Sequence, residues 1–342
     1  MSFLAIVLLA YGASKRLRKL KATPPLTVGV DIGGTKVAGG LVDSRGNILF
    51  QTRVPMVATH EAEAGFAAVE NAINSVLTAC PDARSALTGI GICSPGPLDP
   101  RIGVVINPPN LPCWRNFPLA AEVLRAFGVP ARVDNDGNAA ALAEAIWGAG
   151  AGHRNVFYAT LGTGIGTGIV VDQRIYHGRT GSAAEGGHVA IDYRGPRCGC
   201  GKRGCIEALC SGPAIAQRAR AMLAEAGNEA SLMFELVGGK LEQVRAETVA
   251  DAFRQGDSLA TEVLKATADL LTVWLGSVID LLEPEIIIFG GGIASLMSAF
   301  FDHIQEQLPH WSINQRSTEI PLLVGRYGAD AGIAGAAALY HI

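Results

Sequence analysis

Leu26-Thr-Val-Gly-Val-Asp31-Ile-Gly-Gly-Thr35-Lys36-Val-Ala-Gly-Gly-Leu-Val42-Asp43 is the stretch on which the fold turns. Residues 26–32 read as a buried strand, Gly33-Gly34-Thr35 as a tight turn and 36–42 as a returning strand. The same arrangement comes back later: a strand over 155–161, the turn Gly162-Thr163-Gly164, and a strand over 165–171. Even the endings agree, Val42-Asp43 in one case and Val171-Asp172 in the other. Two Gly/Thr hairpins about 130 residues apart predict an internal structural duplication.

Working outward, a third strand is expected over 47–54, a helix over 61–80 and a short apolar strand over 88–93. Residues 94–118 are rich in Pro, Gly and Asn and read as an ordered loop region. A strand over 129–133 and a helix of good formers over 138–147 follow. Beyond 205 the pattern turns helical, with spans at 206–226, 249–254 and 259–282. A buried strand over 285–289 leads into Gly290-Gly291-Gly292 and a further helix, and a helix over 331–340 closes the chain. Strands interleaved with helices indicate an α/β fold.

Composition limits the functions to consider. The chain has 342 residues, long enough for two domains, and 49 % of them are apolar. Only 17 % are charged, with 28 basic against 31 acidic, which excludes a disordered chain and a bulk electrostatic nucleic-acid binder. Seven cysteines in a long chain do not suggest a disulfide framework. At the N-terminus an apolar run, Phe3 to Tyr11, precedes Lys15, Arg16, Arg18, Lys19 and Lys21. A signal peptide places its basic residues before the apolar stretch, and this order is reversed. The run is also about half the ~20 residues that span a bilayer. We therefore expect residues 1–25 to be an extension without membrane contact, and the protein to be cytoplasmic.

Asp31 ends a buried strand where a carboxylate can hold a metal–water complex, and the glycine turn lets backbone N–H groups reach phosphate oxygens. The P-loop spacing is absent. The second hairpin, Leu161 to Gly168, would grip a polyphosphate from the other side. Asp136, within Asn135-Asp136-Gly137-Asn138, opens a helix; by itself it reads as an N-cap, a role Asp134 could also fill. Glu185-Gly-Gly-His188 precedes Cys198-Gly-Cys200-Gly-Lys-Arg-Gly-Cys205-Ile-Glu207. Three clustered cysteines with one more ligand make a closed structural zinc site, the fourth ligand being His188 or Cys210. Such a site would pin Glu185 and Glu207, carboxylates suited to accepting hydrogen bonds from a polyhydroxylated ligand.

The ordered set resembles the ROK family (repressors, open reading frames and sugar kinases), within the actin/hexokinase/Hsp70 superfamily. It runs from about Leu26 to the C-terminus and adds Ser94-Pro-Gly-Pro-Leu-Asp99 and Asn110-Leu-Pro to the motifs above. The resemblance implies a two-lobed actin-like (ribonuclease H-like) α/β fold with internal duplication. On it, residues 26–140 form a small lobe onto which 329–342 pack back, and 141–328 a large lobe with the zinc loop. Asp136 looks like the catalytic base. Asn110, Asn135, Glu185, His188 and Glu207 look like sugar-binding residues. His188, Cys198, Cys200 and Cys205 look like the zinc ligands, with Cys210 a bystander. Asp31, Gly33, Gly34, Thr35, Lys36, Thr163 and Gly164 look like the phosphate and magnesium cradle, and Gly291 and Gly292 like the nucleotide-side turn. The implied activity is ATP-dependent phosphorylation of a hexose, glucose first. An N-acetylmannosamine or N-acetylglucosamine kinase, a polyphosphate donor, and a sugar-responsive regulator are the alternatives. The implied cofactors are Mg2+, structural Zn2+ and ATP, and the implied assembly is a homo-oligomer. Family regulators carry an N-terminal winged-helix domain. The 25 residues before Leu26 are too few for one, so no nucleic-acid partner is expected.

Overall fold

A computed structural model describes residues 25–56, 61–227 and 231–341. The expectations for the N-terminal apolar and basic run lie outside these residues.

The first half of the chain builds a mixed five-stranded sheet. Its strands are β1 (Leu26–Ile32), β2 (Lys36–Asp43), β3 (Ile48–Pro55), β4 (Leu87–Ser94) and β7 (Ala131–Asn135), in the order β3-β2-β1-β4-β7. Helix α1 (Ala62–Ala79) connects β3 to β4. A two-residue hairpin, β5 (Leu98–Asp99) with β6 (Val104–Val105), and helix α2 (Leu119–Phe127) lie between β4 and β7. Helix α3 (Asp136–Ile146) follows, and β8 (Val156–Leu161), β9 (Ile165–Val171) and β10 (Arg174–Ile175) begin a second sheet. After a long insertion containing α4 (Ile206–Cys210), α5 (Gly212–Ala226), α6 (Leu232–Leu236), α7 (Ala246–Arg254) and α8 (Ser258–Leu282), strand β11 (Ile286–Gly290) returns to it. Helices α9 (Ala294–Met297) and α10 (Phe301–Gln307), edge strand β12 (Leu322–Val324) and helix α11 (Ala331–Ala338) finish the chain.

The second sheet runs β10-β9-β8-β11-β12, the first order repeated strand for strand. In each, the two strands of the Gly/Thr hairpin are antiparallel and the next two pairings are parallel. The duplication expected from the two hairpins is thus present at the level of whole sheets. The chain crosses from the first sheet to the second through α3, which follows β7, and returns through α11, which follows β12.

Strand alternation decides which side chains meet the first core and which meet α11. Val28, Val30 and Ile32 pack with Val69, Ile73 and Val76 of α1 in the first core. The intervening Gly29 and Asp31 therefore face the other way, toward α11. A Cβ on Gly29, or on Gly91 of the neighbouring strand, would run into the carbonyls of Ile333 or Ala336. Bare backbone on two adjacent strands lets α11 lie directly on the sheet. Helix α11 meets α3 just as closely, since a Cβ on Gly335 would lie 2.5 Å from the Ala139 carbonyl carbon. The second core gathers around α8, whose Trp274 is fully buried and meets Phe157 of β8 edge-on.

The structure corrects three local expectations. Residues 206–226 are two helices broken at Ser211, which is extended at φ −69°, ψ 166°. A Pro in the first turn of α5 suits a helix start, not a helix interior. The region 94–118 holds the β5–β6 hairpin. Helices α2 and α6 and strands β10 and β12 form where no element was expected. Among the described residues no helix is long and apolar enough to cross a membrane.

Candidate active site

Asp31 stands near the end of β1 on the α11 side. Below it the buried Cys93 thiol lies 3.4 Å from Asp31 Oδ1 and 3.3 Å from the Gly332 carbonyl. Burial and the carboxylates of Asp31, Asp136 and Asp134 push the Cys93 thiol up, so it stays protonated and can donate. Burial also raises Asp31, against the opposing effects of the Cys93 hydrogen bond and of Lys36 and Arg53. The turn after it is closed by Gly33 N–H donating to Lys36 O at 2.9 Å. Gly34 lies beside the Asn110 backbone, and Thr35 and Lys36 are exposed.

A Cβ on Gly332 would sit 2.5 Å from Asp31 Oδ2. Gly332→Ala should therefore displace the Asp31 carboxylate while leaving the sheet intact. A loss of turnover of roughly 10²-fold, as for an ångström of misplacement, with melting within a few degrees of the wild type, is the expected result. Unchanged turnover would show that Asp31's position is not critical.

Asp136 occupies the other wall. The N-cap of α3 is Asn135, whose Oδ1 accepts the Gly137 N–H at 2.9 Å. Asp136 is the first helical residue, and its Oδ1 shares that donor at 2.8 Å. The carboxyl opens to the cleft but is hemmed in by protein. This desolvation, with the charges of Asp31 and Glu185, pushes it up to about 6. Gly137 lets α3 press on β9, where its Cβ would be 2.5 Å from Thr167 O.

Glu185 is exposed before a single turn of 3-10 helix, Gly186–His188. His188 Nδ1 lies 3.6 Å from Cys198 Sγ and 3.8 Å from Glu207 Oε1. Glu207 Oε2 accepts the Ile165 N–H at 3.0 Å, which anchors this carboxylate to the second hairpin beside Gly164. The ligand atoms of His188, Cys198, Cys200 and Cys205 all lie within 4.8 Å of one another. Tetrahedral zinc with Zn–S near 2.3 Å spaces its sulfurs about 3.8 Å apart. The Cys200–Cys205 separation is 3.7 Å, so these donors fit zinc. Cys210 is not among them: it is buried on α4 and its thiol donates to Thr267 O at 3.6 Å.

Thr163 lines a cavity of about 1360 Å³ together with Gly162, Gly292 and the start of α5 at Gly212 and Pro213. Gly291 adjoins it with φ +81°, turned so that Ile293 N–H reaches Leu161 O at 3.1 Å. Sequence reasoning missed the far wall, which comes from α5 and α7. Its arginines Arg220, Arg245 and Arg254 share it with Glu242, Glu247 and Asp251. The sequence Ser211-Gly212-Pro213 was the signal for a helix start there.

Comparison with known proteins gives the family and the fold. The family model described as "ROK family" matches residues 27–342. A glucokinase of Thermotoga maritima is 37 % identical over 322 residues, covering 91 % of this chain and 96 % of that one. A ROK family glucokinase from Streptomyces griseus, solved with glucose and AMPPNP, superposes with TM-score 0.77 at 34 % identity, covering 92 % and 98 % of the two chains. A ROK family transcriptional regulator, a homolog of the E. coli MLC protein, superposes with TM-score 0.81 at 28 % identity, covering 94 % of this chain and 78 % of that one. With its duplicated sheets, paired hairpins and Cys/His loop in one continuous match, the chain belongs to the ROK family.

Proposed function

We propose that this protein is a hexose kinase that transfers the terminal phosphoryl group of ATP to the 6-hydroxyl of a sugar, with glucose as the first candidate. The observation that carries the reading is Asp136. A carboxyl pushed up to about 6 sits where the loop with Glu185 and the Asp31 turn converge. General bases work best with a pKa near the working pH. Asp136 takes the proton of the attacking hydroxyl. Asn110, Asn135, Glu185, His188 and Glu207 hold the sugar's other hydroxyls, with His188 also a zinc ligand beside Cys198, Cys200 and Cys205. The turns at Asp31, Gly33, Gly34, Thr35 and Lys36, and at Thr163 and Gly164, receive the phosphates. Gly291 and Gly292 border the nucleotide. Magnesium, when bound at Asp31, neutralises phosphate charge.

The cavity wall bears on the donor. Its three arginines share it with three acidic residues, and Arg254 is paired with Asp251 at 2.7 Å on the same helix. A balanced wall suits a neutral base better than an extended polyanion, so we favour ATP over polyphosphate. A regulator shares the scaffold, and turnover separates the two. The deciding experiment is ADP release from Mg-ATP with glucose, mannose, fructose, N-acetylglucosamine and N-acetylmannosamine. Turnover on glucose supports the proposal, preference for an N-acetylated sugar reassigns the substrate, and silence on all five points first to polyphosphate as donor and, if that too is silent, removes the kinase reading.

The base also sets a pH profile. Below about 6 Asp136 holds a proton and cannot accept another, so kcat/KM for the sugar should climb with pH through about 6 and then level. A profile flat from about pH 5 to about pH 7.5 would exclude Asp136 from this role.

A further inference from the structure

The loop that carries Glu185 is tied to the first sheet at a point the reaction described above does not use. His177, just after β10, places Nε2 2.6 Å from Asp134 Oδ2. Asp134 lies on β7, two residues before Asp136, with its side chain 4 % exposed. Its other oxygen accepts the Asn135 N–H at 2.8 Å and Asn138 Nδ2 at 3.1 Å. A buried carboxylate needs such partners, and His177 supplies one from the opposite sheet. The carboxylate in turn raises the His177 pKa and favours its charged form.

The loop itself is braced. Ala183 N–H returns to His177 O at 3.2 Å. Gly181 packs on Pro100, beside the β5–β6 hairpin, with room for no Cβ. At the loop's end the Thr167 hydroxyl donates to Ala184 O and accepts the Gly186 N–H at 2.8 Å. Thr167 O is also the atom on which Gly137 presses. Glu185 and Asp136 thus stand on two pieces of backbone joined by two bridges, one through Thr167 within the second sheet's side and one through His177 across the sheets.

We propose that His177 is a positioning residue: by pairing with Asp134 it fixes the Glu185 loop in register with Asp136, so that one lobe grips the sugar while the other takes its proton. This rests on the sugar-kinase reading. The His177 side chain is 33 % exposed, so removing it leaves no core void, and Asp134 keeps the Asn135 N–H and Asn138 Nδ2, so the stability lost is that of one missing partner on a buried carboxylate.

The test uses the full chain as His177→Ala and His177→Gln. For His177→Ala the sugar KM and the calorimetric sugar Kd should rise about tenfold or more, with ATP KM and zinc content unchanged. Amides of residues 178–186 should exchange faster with deuterium. His177→Gln, which can still donate to Asp134, should recover part of the sugar affinity. Unchanged sugar KM and Kd with unchanged exchange would overturn the proposal, as would a joint rise of both KM values accompanied by a collapse in melting temperature. If the wild type phosphorylates no sugar, the kinase reading fails, while the exchange comparison still decides whether His177 holds the loop.

Discussion

Asp136→Asn should lower turnover by about 10³-fold, within the range of general-base contributions, while sugar binding stays near the wild-type level. Asparagine keeps an oxygen for the Gly137 N–H, which Asp136 accepts at 2.8 Å, so the corner between β7 and α3 should hold its shape. Only the capacity to take a proton is lost. The same substitution carries an opposite signature in stability. The folded-state pKa of Asp136 is raised, so its ionised form is penalised by folding. That penalty is absent at pH values below the carboxyl's unfolded pKa, grows as pH rises, and is complete above about 6. A neutral amide escapes it, and the variant should melt at a higher temperature than the wild type at neutral pH. Lost activity with gained stability is the mark of a strained catalytic group. Calorimetric melting, ADP release and sugar titration on one preparation check all three; normal turnover would remove Asp136 as the base.

The second large effect is expected at the zinc loop. Cys200 is the exposed member of its four donors, while Cys198 and Cys205 are buried. Serine at 200 therefore opens no void, and whatever stability is lost belongs to the metal. Between His188 and Cys205 the loop is held by a few backbone bonds, among them Cys198 N–H to Lys202 O at 2.8 Å and Ile191 N–H to Gly204 O at 2.9 Å. Structural zinc supplies apparent binding energies of order 10–16 kcal/mol in small domains. If only about a quarter of that reaches the folded state, Cys200→Ser should drop the melting temperature by about 4–6 °C. Metal content should fall together with it, and sugar KM should rise because His188 and Glu207 lose their common anchor. Elemental analysis and calorimetry measure the first two. A zinc-free wild type with full stability would end the structural-zinc assignment.

Much of this site was legible in residue order. The hairpins announced themselves because a three-residue Gly/Thr turn between apolar strands is a local pattern, and it recurred. The Cys198, Cys200 and Cys205 spacing announced a metal for the same reason. What escaped depends on contacts between distant segments. Strand β12 is three residues long and exists by pairing in parallel with β11. The break at Ser211 had a local signal in Ser211-Gly212-Pro213, which was outweighed by the helix-forming residues on either side. Spacing alone left Cys210 and His188 open as the fourth ligand, and only the family resemblance chose His188; folding turns Cys210 into the core and His188 toward the sulfurs. His177 had no signal at all, since its partner Asp134 is 43 residues away.

The contact between α3 and α11 bears on motion. Both helices are built almost wholly from alanine and glycine where they cross, and each belongs by packing to a different sheet. Ordinary helix crossings lock through long side chains seated in grooves, and rotation requires those side chains to climb out. Here most of the contact is methyl groups and backbone, with Leu142 of α3 set among Ala334 and Ala338, so the crossing has little to disengage. Turning one half of the molecule on the other would cost small changes of contact there, and the resistance would reside at the rim, where longer side chains reach across, the Tyr327 hydroxyl to Gly46 O at 3.0 Å and Arg326 Nη2 to Asn47 Oδ1 at 3.2 Å.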